Sequence, residues 1–512
     1  WPVHFAGWHF FRRDTWQVPP GRIGNFMLPT GTALVYTDSI PLVALVLKPV
    51  QAVLPQMFQY LGAWLALSFF LQGWFGALLA ARFTRHTPSV VLGGFLFATA
   101  PTLAARLMHP ALCAHWLLLW SIWLYFEALE GRPRIQQHAV LGLAAGLIHP
   151  YLALMVLAVG SGPLLLSLGP TPRPVPSRVA SLMASVLALG IVTGWWASGL
   201  FSLTALADLK AGGVYELSMN LLGPITPSGW SSMLPELPVT YPGQRTEGLQ
   251  YVGLGLAVLV IGAFGLVASR LPSSVYSWIP LIATAGLCAT YSAALRLSIG
   301  SHILWTIQNP VIERWLVFRA PARFFWPLLY VALALSVGLL LRRTPPRLTT
   351  AILAVIILLQ LVDVGPIYRR ERARFHEASF YAWQPPLDPG LAALKGYAHM
   401  VTYPPLQCEA EGVPWMGWAF VAGSNGLTLN TGYAARTAGE ATRSYCANLD
   451  RFVQSATEAT DTLFVVTRAR LARFEELVNG AFLCGEHSPD IFLCTVPAHI
   501  PDWPTGTVAW RR

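Results

Sequence analysis

From about position 56 to 365 the chain is a succession of apolar runs separated by short polar breaks. Windows of roughly 20 apolar residues, the length an α-helix needs to cross the hydrocarbon core of a bilayer, fall at about 56–81, 88–108, 110–128, 137–149, 150–168, 179–199, 249–269, 275–295, 322–341 and 348–365. The pattern predicts a polytopic α-helical membrane protein with a bundle of about ten spans over 56–365. Residues 1–55, a first loop ahead of the bundle, mix aromatic, basic and polar positions. Within them Val3–Phe11, followed by Arg12, Arg13 and Asp14, has the make-up of a helix lying in the membrane interface, and Ser39–Leu54 reads as a second. The plainer reading of both is that they plug the mouth of the bundle. Over 366–512 the apolar runs shorten and Gly, Pro and charge become frequent, which predicts a small soluble α/β domain. Strands are expected at Ala398–Tyr403, Thr462–Thr467 and Ile491–Val496, and helices near Leu387–Gly396 and Ala469–Asn479.

Composition agrees with a membrane chain: 54% of residues are hydrophobic and 11% charged, against roughly a quarter charged in soluble proteins. The net charge of +10 does not point to nucleic acid, because the basic residues fall in short clusters between apolar runs. With 1–55 outside the cytoplasm, the inside connections carry Arg82 and Arg85, Arg132 and Arg134, Arg173 and Arg178, Arg270, and Arg342, Arg343 and Arg347. That distribution follows the positive-inside bias. It leaves outside the first loop, the turn Arg106–Pro110, the His149-Pro150-Tyr151 corner, loops near 200–248 and 298–321, and everything after about 366. The working face is therefore expected on the non-cytoplasmic side. The chain opens on Trp1 with neither Met nor a signal-peptide pattern, so a preceding segment carrying a first span is expected. Gly142 with Gly146, and Gly190 with Gly194, have the spacing that lets membrane helices approach closely.

Cys408, Cys446, Cys484 and Cys494 lie in the exported domain, whereas Cys113 and Cys288 lie in spans. An even number in an oxidising compartment favours disulfides. Cys484 and Cys494 flank a short stretch suited to a hairpin, so they are paired with each other and Cys408 with Cys446. Zinc is the rival reading, but no CxxC or HxxxH spacing accompanies these cysteines.

Three outward groups are candidates for chemistry. The first is acidic, Asp14 and Asp38. In Tyr36-Thr37-Asp38-Ser39 three hydroxyl or phenol groups surround one carboxylate at a bilayer surface, which suits a base or a substrate-orienting group; the plain alternative is that Asp38 caps the helix after Ser39. The second is basic: Arg106, His109, His149, and Arg314, Arg319 and Arg323. Arginine on the outer face runs against the charge bias, and a guanidinium grips phosphate through paired hydrogen bonds, so Arg319 and Arg323 are the leading candidates for a lipid phosphate. Snorkelling to ordinary head groups is the alternative, as is, for the histidines, bonding to a nearby backbone group. The third is the Pro-rich loop Val214–Gln250, with Glu216, Asn220, Trp230, Glu236, Gln244, Arg245 and Glu247, and Tyr251 just after it, where Glu247 directly precedes a span. Its aromatic and amide groups are of the kind that line sugar sites. No P-loop, HExxH helix or GxSxG elbow is present, which turns attention to an activated lipid donor.

Gly7-Trp8-His9-Phe10-Phe11-Arg12 with Asp14-Thr15-Trp16, Tyr36-Thr37-Asp38-Ser39-Ile40-Pro41-Leu42, His149-Pro150-Tyr151 and Phe318–Trp326 are similar to segments of a bacterial branch of the GT-C superfamily of membrane glycosyltransferases. The resemblance covers the membrane region and implies a GT-C-like bundle in the bacterial inner membrane, multi-pass, with the C-terminal domain in the periplasm. It implies inverting transfer of a sugar from a polyprenyl-phosphate-linked donor to a lipid, glycan or protein acceptor. A first-loop carboxylate would act as general base, with arginines on the leaving phosphate. On this reading Asp38 and Asp14 are catalytic, Arg319, Arg323, Arg106 and His109 hold the donor phosphate, and His149, Tyr151, Glu247 and Tyr36 contact substrate. In such enzymes the key acid often follows the first span, which here would precede Trp1 and leave Asp38 a supporting or metal-binding role. A divalent ion such as Mg or Mn is compatible with the resemblance, and the sequence leaves its use open. The competing readings are a transporter or flippase of a lipid-linked saccharide, for which mid-membrane ionisable residues and paired inverted repeats are not seen, and a membrane-anchored assembly protein, for which ten spans are more than anchoring needs.

Overall fold

The computed structural model describes residues 2–167, 175–203, 213–267, 277–313, 316–376, 391, 394–409, 412–502 and 508–510. The expected Leu387–Gly396 helix falls mostly outside them, as do Arg173, Arg270 and Arg314. The chain divides into two compact units, Trp1–Tyr60 with Trp195–Asp208 and Ala378–Arg512, and Leu61–Gly194 with Leu209–Glu377.

The second unit is helical. Among the described residues six helical stretches are long and apolar enough to cross a membrane: Leu61–Ala81, Pro110–Leu129, Pro150–Ser167, Ser177–Ala197, Pro321–Arg343 and Pro346–Asp363. The other four expected spans are shorter helices, Thr87–Ala98, Ile135–Ile148, Leu254–Val267 and Ile279–Ser292. The window at 88–108 stops early because Ala100 precedes Pro101, which pushes it to extended backbone, and the Thr99 hydroxyl donates to the Leu96 carbonyl 2.7 Å away. Twelve residues at about 1.5 Å each fall well short of a bilayer's hydrocarbon thickness.

Helices Ile135–Ile148 and Ser177–Ala197 pack backbone to backbone at the paired glycines. A Cβ on Gly190 would sit 2.7 Å from the Ala139 carbonyl oxygen, and one on Gly194 would sit 2.8 Å from that of Leu143. Gly146 meets Ile191 in the same way at 2.5 Å. At one end of this unit Glu127, nearly buried, takes Arg82 at 2.8 Å, Arg132 at 2.7 Å and Arg134 at 3.1 Å. Arg342 lies over the Phe83 ring, 4.9 Å from its centroid. The basic connections at 82, 132–134 and 342 therefore do share one end of the bundle.

The loop Val214–Gln250 is irregular, as its prolines require, but its amides Asn220 and Gln244 are structural. Asn220 donates to the Gly300 carbonyl at 2.9 Å and accepts from the Gly300 N–H at 3.0 Å, tying the loop to the hairpin Arg296–Ile299/His302–Thr306. Gln244 bonds Asn220 and Ser298 from the other side. Asp363 ends its helix by accepting from the Tyr251 hydroxyl at 2.5 Å and the Leu254 N–H at 2.9 Å.

The first unit joins the chain's beginning to its end. A six-stranded mixed sheet runs, edge to edge, Ala509–Trp510, Leu483–Ser488, Ile491–Thr495, Thr462–Thr467, His399–Tyr403, Thr428–Leu429. The last three strands are parallel and the other pairs antiparallel. Helices Gly439–Ala447, Leu449–Ala456 and Arg468–Val478 contribute Tyr445, Leu449, Val453, Phe474 and Val478 to a core against this sheet. The three expected strands and the expected helix at 469–479 are present. Cys408–Cys446 and Cys484–Cys494 are disulfides, the latter joining directly paired positions of neighbouring antiparallel strands. All four cysteines are thereby used, which removes the zinc reading.

Helix Pro2–Phe11 lies in this unit's interior, not on an open interface. Trp8, His9, Phe10 and Phe11 are at most 1% exposed, and Phe10 stacks on Phe26 at 4.4 Å. The Phe26–Leu429 bridge adds the first loop to the sheet edge, with Leu28 N–H on the Leu429 carbonyl at 3.0 Å. Arg12, 4% exposed, donates to the carbonyls of Gln51, Leu54, Pro55 and Gln56, closing the end of the 3-10 turn Lys48–Val53. The second expected interfacial helix is a single short helix, Pro41–Leu47, followed by that turn.

Candidate functional site

In the helical unit, His149, Tyr151, Arg323, Glu247 and Arg106 converge. His149 N-caps helix Pro150–Gly160, its Nδ1 accepting the Tyr151 N–H at 3.2 Å. Tyr151 turns its ring under the Arg323 guanidinium, 4.9 Å from the centroid, and its hydroxyl accepts the Ala320 N–H at 2.9 Å. Arg323 stands in the 3-10 turn Pro321–Phe325 and donates to the Glu247 carboxylate at 3.0 Å. Arg106 leans on the same loop, its terminal nitrogens making long contacts to the Thr246 and Glu247 carbonyls at 3.4 and 3.5 Å. Positions separated by more than 200 residues in sequence thus form one cluster.

Its electrostatics are unusual for a packed interior. Arg106 and Arg323 are 3% and 5% exposed, among the described residues they face one carboxylate between them, and the Nε–H of each is buried without a hydrogen-bond partner. An unsatisfied buried donor costs about 1–3 kcal/mol and more on a charged group, and an unbalanced buried cation is costlier still. Burial, and then the neighbouring Arg323, draw the Arg106 pKa below its ordinary value, while Glu247 pulls the other way. Two guanidiniums against one carboxylate leave the cluster net positive with N–H groups to spare. An oxyanion placed there relieves both deficits.

The sequence reading missed further buried polar groups in the same unit. Trp326 Nε1, His115 Nε2 and both polar atoms of Gln250 have no hydrogen-bond partner. His115 packs against Trp326 at 4.0 Å between ring centroids and bonds the Tyr330 hydroxyl at 2.7 Å. Their one sequence signal is a polar or indole group inside or beside an apolar run. Arg319 has a different setting from Arg323: it is exposed. His109 is half-buried at the head of the 3-10 turn Pro110–Cys113, its N–H on the Arg106 carbonyl at 2.7 Å.

The acidic candidates belong to the other unit. Asp38 is half-buried in a left-handed backbone conformation (φ 51°), and its carbonyl is met by His4 Nδ1 at 3.1 Å. It is not the helix cap: that position falls to Ile40, with no side-chain cap bond. The flanking hydroxyls are buried and bonded to each other, Thr37 to Ser39 at 2.9 Å, and Ser39 donates to the His4 carbonyl. The Tyr36 hydroxyl donates to the Leu200 carbonyl at 2.5 Å. Asp14 accepts from Thr15 N–H, Gln17 Nε2 and Gly24 N–H, at 2.9, 2.8 and 2.6 Å, and so shapes the loop that follows helix Pro2–Phe11. Among the described residues no group of three His, Cys, Asp or Glu side chains is placed to hold a metal ion.

A family model described as a domain of unknown function, DUF6311, matches residues 1–365. The chain belongs to the DUF6311 family. A second model, described as the DUF6311 C-terminal domain, matches residues 391–496. A comparison with curated proteins finds no match. Within this DUF6311 chain the first match ends where the apolar runs end, and the second spans the central strands of the sheet and both disulfides.

Proposed function

We propose that this DUF6311 chain is a GT-C-type membrane glycosyltransferase, moving a sugar from a polyprenyl-phosphate-linked donor to a lipid, glycan or protein acceptor with inversion. The observation that carries the reading is the buried pair Arg106 and Arg323, net positive against Glu247 and holding unused N–H donors. A phosphate leaving group gains negative charge as the glycosidic bond breaks, so donors fixed in a water-poor site stabilise the transition state more than the ground state. Tyr151 and His149 fix the orientation of Arg323 and of the turn that carries it. In this reading Asp38 is the base that takes the acceptor's proton, and the enzyme is a multi-pass protein of the bacterial inner membrane with its sheet domain in the periplasm. The two disulfides favour such an oxidising compartment.

The test is transfer or release of radiolabelled sugar from a panel of polyprenyl phosphate sugars by the purified full chain. Arg106→Gln and Arg323→Gln are each expected to lower the rate about 100-fold, the usual effect of removing one transition-state donor. Asp38→Asn is expected to lower it by a similar factor. No release from any donor, or release untouched by both arginine substitutions, overturns the proposal; an Asp38→Asn rate equal to wild type removes Asp38 from it.

A further inference from the structure

The first unit holds a groove of ≈ 540 Å³, lined by Arg22, Thr30, Ser202, Ser444, Tyr445 and Asn448 among others. That volume is of ligand size. The groove is built by three separate stretches of the chain: the hairpin strand Arg22–Ile23 and the turn around Thr30, the turn after Ala197, and helix Gly439–Ala447 with Asn448. Among the described residues Arg22 is the one charged residue that lines it, and no acid does. Arg22 is half-buried and brings its charge to the groove with no carboxylate opposing it among the described lining residues, and its Nε–H is enclosed without a hydrogen-bond partner. Around it stand hydroxyls and an amide. Thr30 and Ser202 donate to local carbonyls at 3.2 and 2.7 Å, which leaves their oxygen lone pairs as acceptors for hydroxyl donors. Ser444 and Asn448 are exposed at the rim. The buried Tyr445 ring supplies an aromatic wall, and its hydroxyl accepts from Asn430 at 2.9 Å.

We propose that this groove binds an acidic saccharide unit, its carboxylate or phosphate paired with Arg22 and its hydroxyls on Thr30, Ser202, Ser444 and Asn448. A planar guanidinium recognises either oxyanion through two parallel bonds, and clustered hydroxyl and amide groups beside an aromatic face suit a polyhydroxylated ring better than an apolar ligand. The site lies wholly within the sheet-bearing unit. That the saccharide serves as an acceptor rests on the transferase reading; that it binds does not.

Binding to the full chain in detergent is measured by calorimetry with three probes: a glucuronate-containing trisaccharide, the neutral glucose trisaccharide, and inorganic phosphate. The acidic trisaccharide is expected to bind at least about tenfold tighter than the neutral one, the size of one charge-assisted hydrogen bond, and Arg22→Gln is expected to abolish that preference. Arg22→Lys, which keeps the charge, is expected to retain part of it, separating loss of recognition from loss of fold. Arg323→Gln is expected to leave it unchanged, so the groove fails or stands independently of transfer activity. Equal binding of acidic and neutral saccharides, full preference in Arg22→Gln, phosphate binding as tightly as the acidic saccharide, or no binding of any probe each overturns the proposal.

Discussion

Arg323 and Glu247 show how one side chain can hold a site in waiting. Among the described residues the carboxylate is the one anion opposing the two buried guanidiniums, so it competes with any ligand oxyanion for their positive charge. Glu247→Gln keeps the shape and removes that competitor, and is expected to raise retention of anionic phospholipid or polyprenyl phosphate by about tenfold, the scale of one charge-assisted bond, as read by native mass spectrometry of the purified protein. Unchanged retention means the carboxylate does not face the ligand. His9 makes the opposite kind of statement. Burial first, then Arg13 and Arg12, push its pKa from 6.5 down to about 3. The folded state thus binds fewer protons than the unfolded state between those values, and stability falls as pH drops from about 6.5 towards 3. His9→Gln is expected to flatten that part of the pH dependence of thermal unfolding; a slope identical to wild type refutes the buried neutral histidine.

At the scale of elements, the paired glycines carry the sharpest prediction. Gly142 and Gly190 each face backbone of the opposite helix, leaving no room for a side chain, so Gly190→Leu must force the helices apart. The expected loss is about 2 kcal/mol or more, seen as a lower midpoint of thermal unfolding in detergent, whereas Gly262→Leu, where a Cβ meets nothing within 4 Å, is expected to be neutral. The spacing of these glycines was legible in the sequence because it is a local regularity. So were the strands at 399–403, 462–467 and 491–495 and the Cys484–Cys494 pairing, which depends on a hairpin ten residues long. The four short helices were not, since hydropathy reports the length of an apolar run and not the point where a proline such as Pro101 ends the helix. The amides Asn220 and Gln244 were legible as polar loop residues, but their partners Gly300 and Ser298 lie 80 and 54 residues away, and no local pattern separates a satisfied architectural amide from a ligand-binding one. Arg323 could be picked out by its charge on the unexpected face. That it is buried, whereas Arg319 four residues earlier is exposed, depends on tertiary packing.

At the scale of the whole molecule, the beginning and end of the chain make one folding unit. A hydropathy profile separates 1–55 from 366–512 because the bundle intervenes, yet the first loop's core residues are covered by the last third of the chain. Leu28 and Asn25 bond to Leu429, the Ala435 N–H reaches the Tyr36 carbonyl at 2.7 Å, Gln56 bonds to the Ser424 carbonyl at 3.0 Å, and Phe5 stacks near Phe420. Gly423 and Gly432 sit against His9 and Phe26 with no space for a Cβ. The first loop's buried aromatic residues therefore depend on contacts made roughly 400 positions later in sequence, and a chain ending at residue 376 would leave Phe5, His9, Phe10 and Phe26 without that cover. Limited proteolysis of such a truncation is expected to cut within residues 12–30 under conditions where the full chain is resistant, because local opening exposes backbone that packing had protected. Gly432→Leu in the full chain is expected to open the same sites by wedging Phe26 from its place. Equal resistance of all three proteins would mean that the first loop holds its fold by the contacts within 1–60 alone.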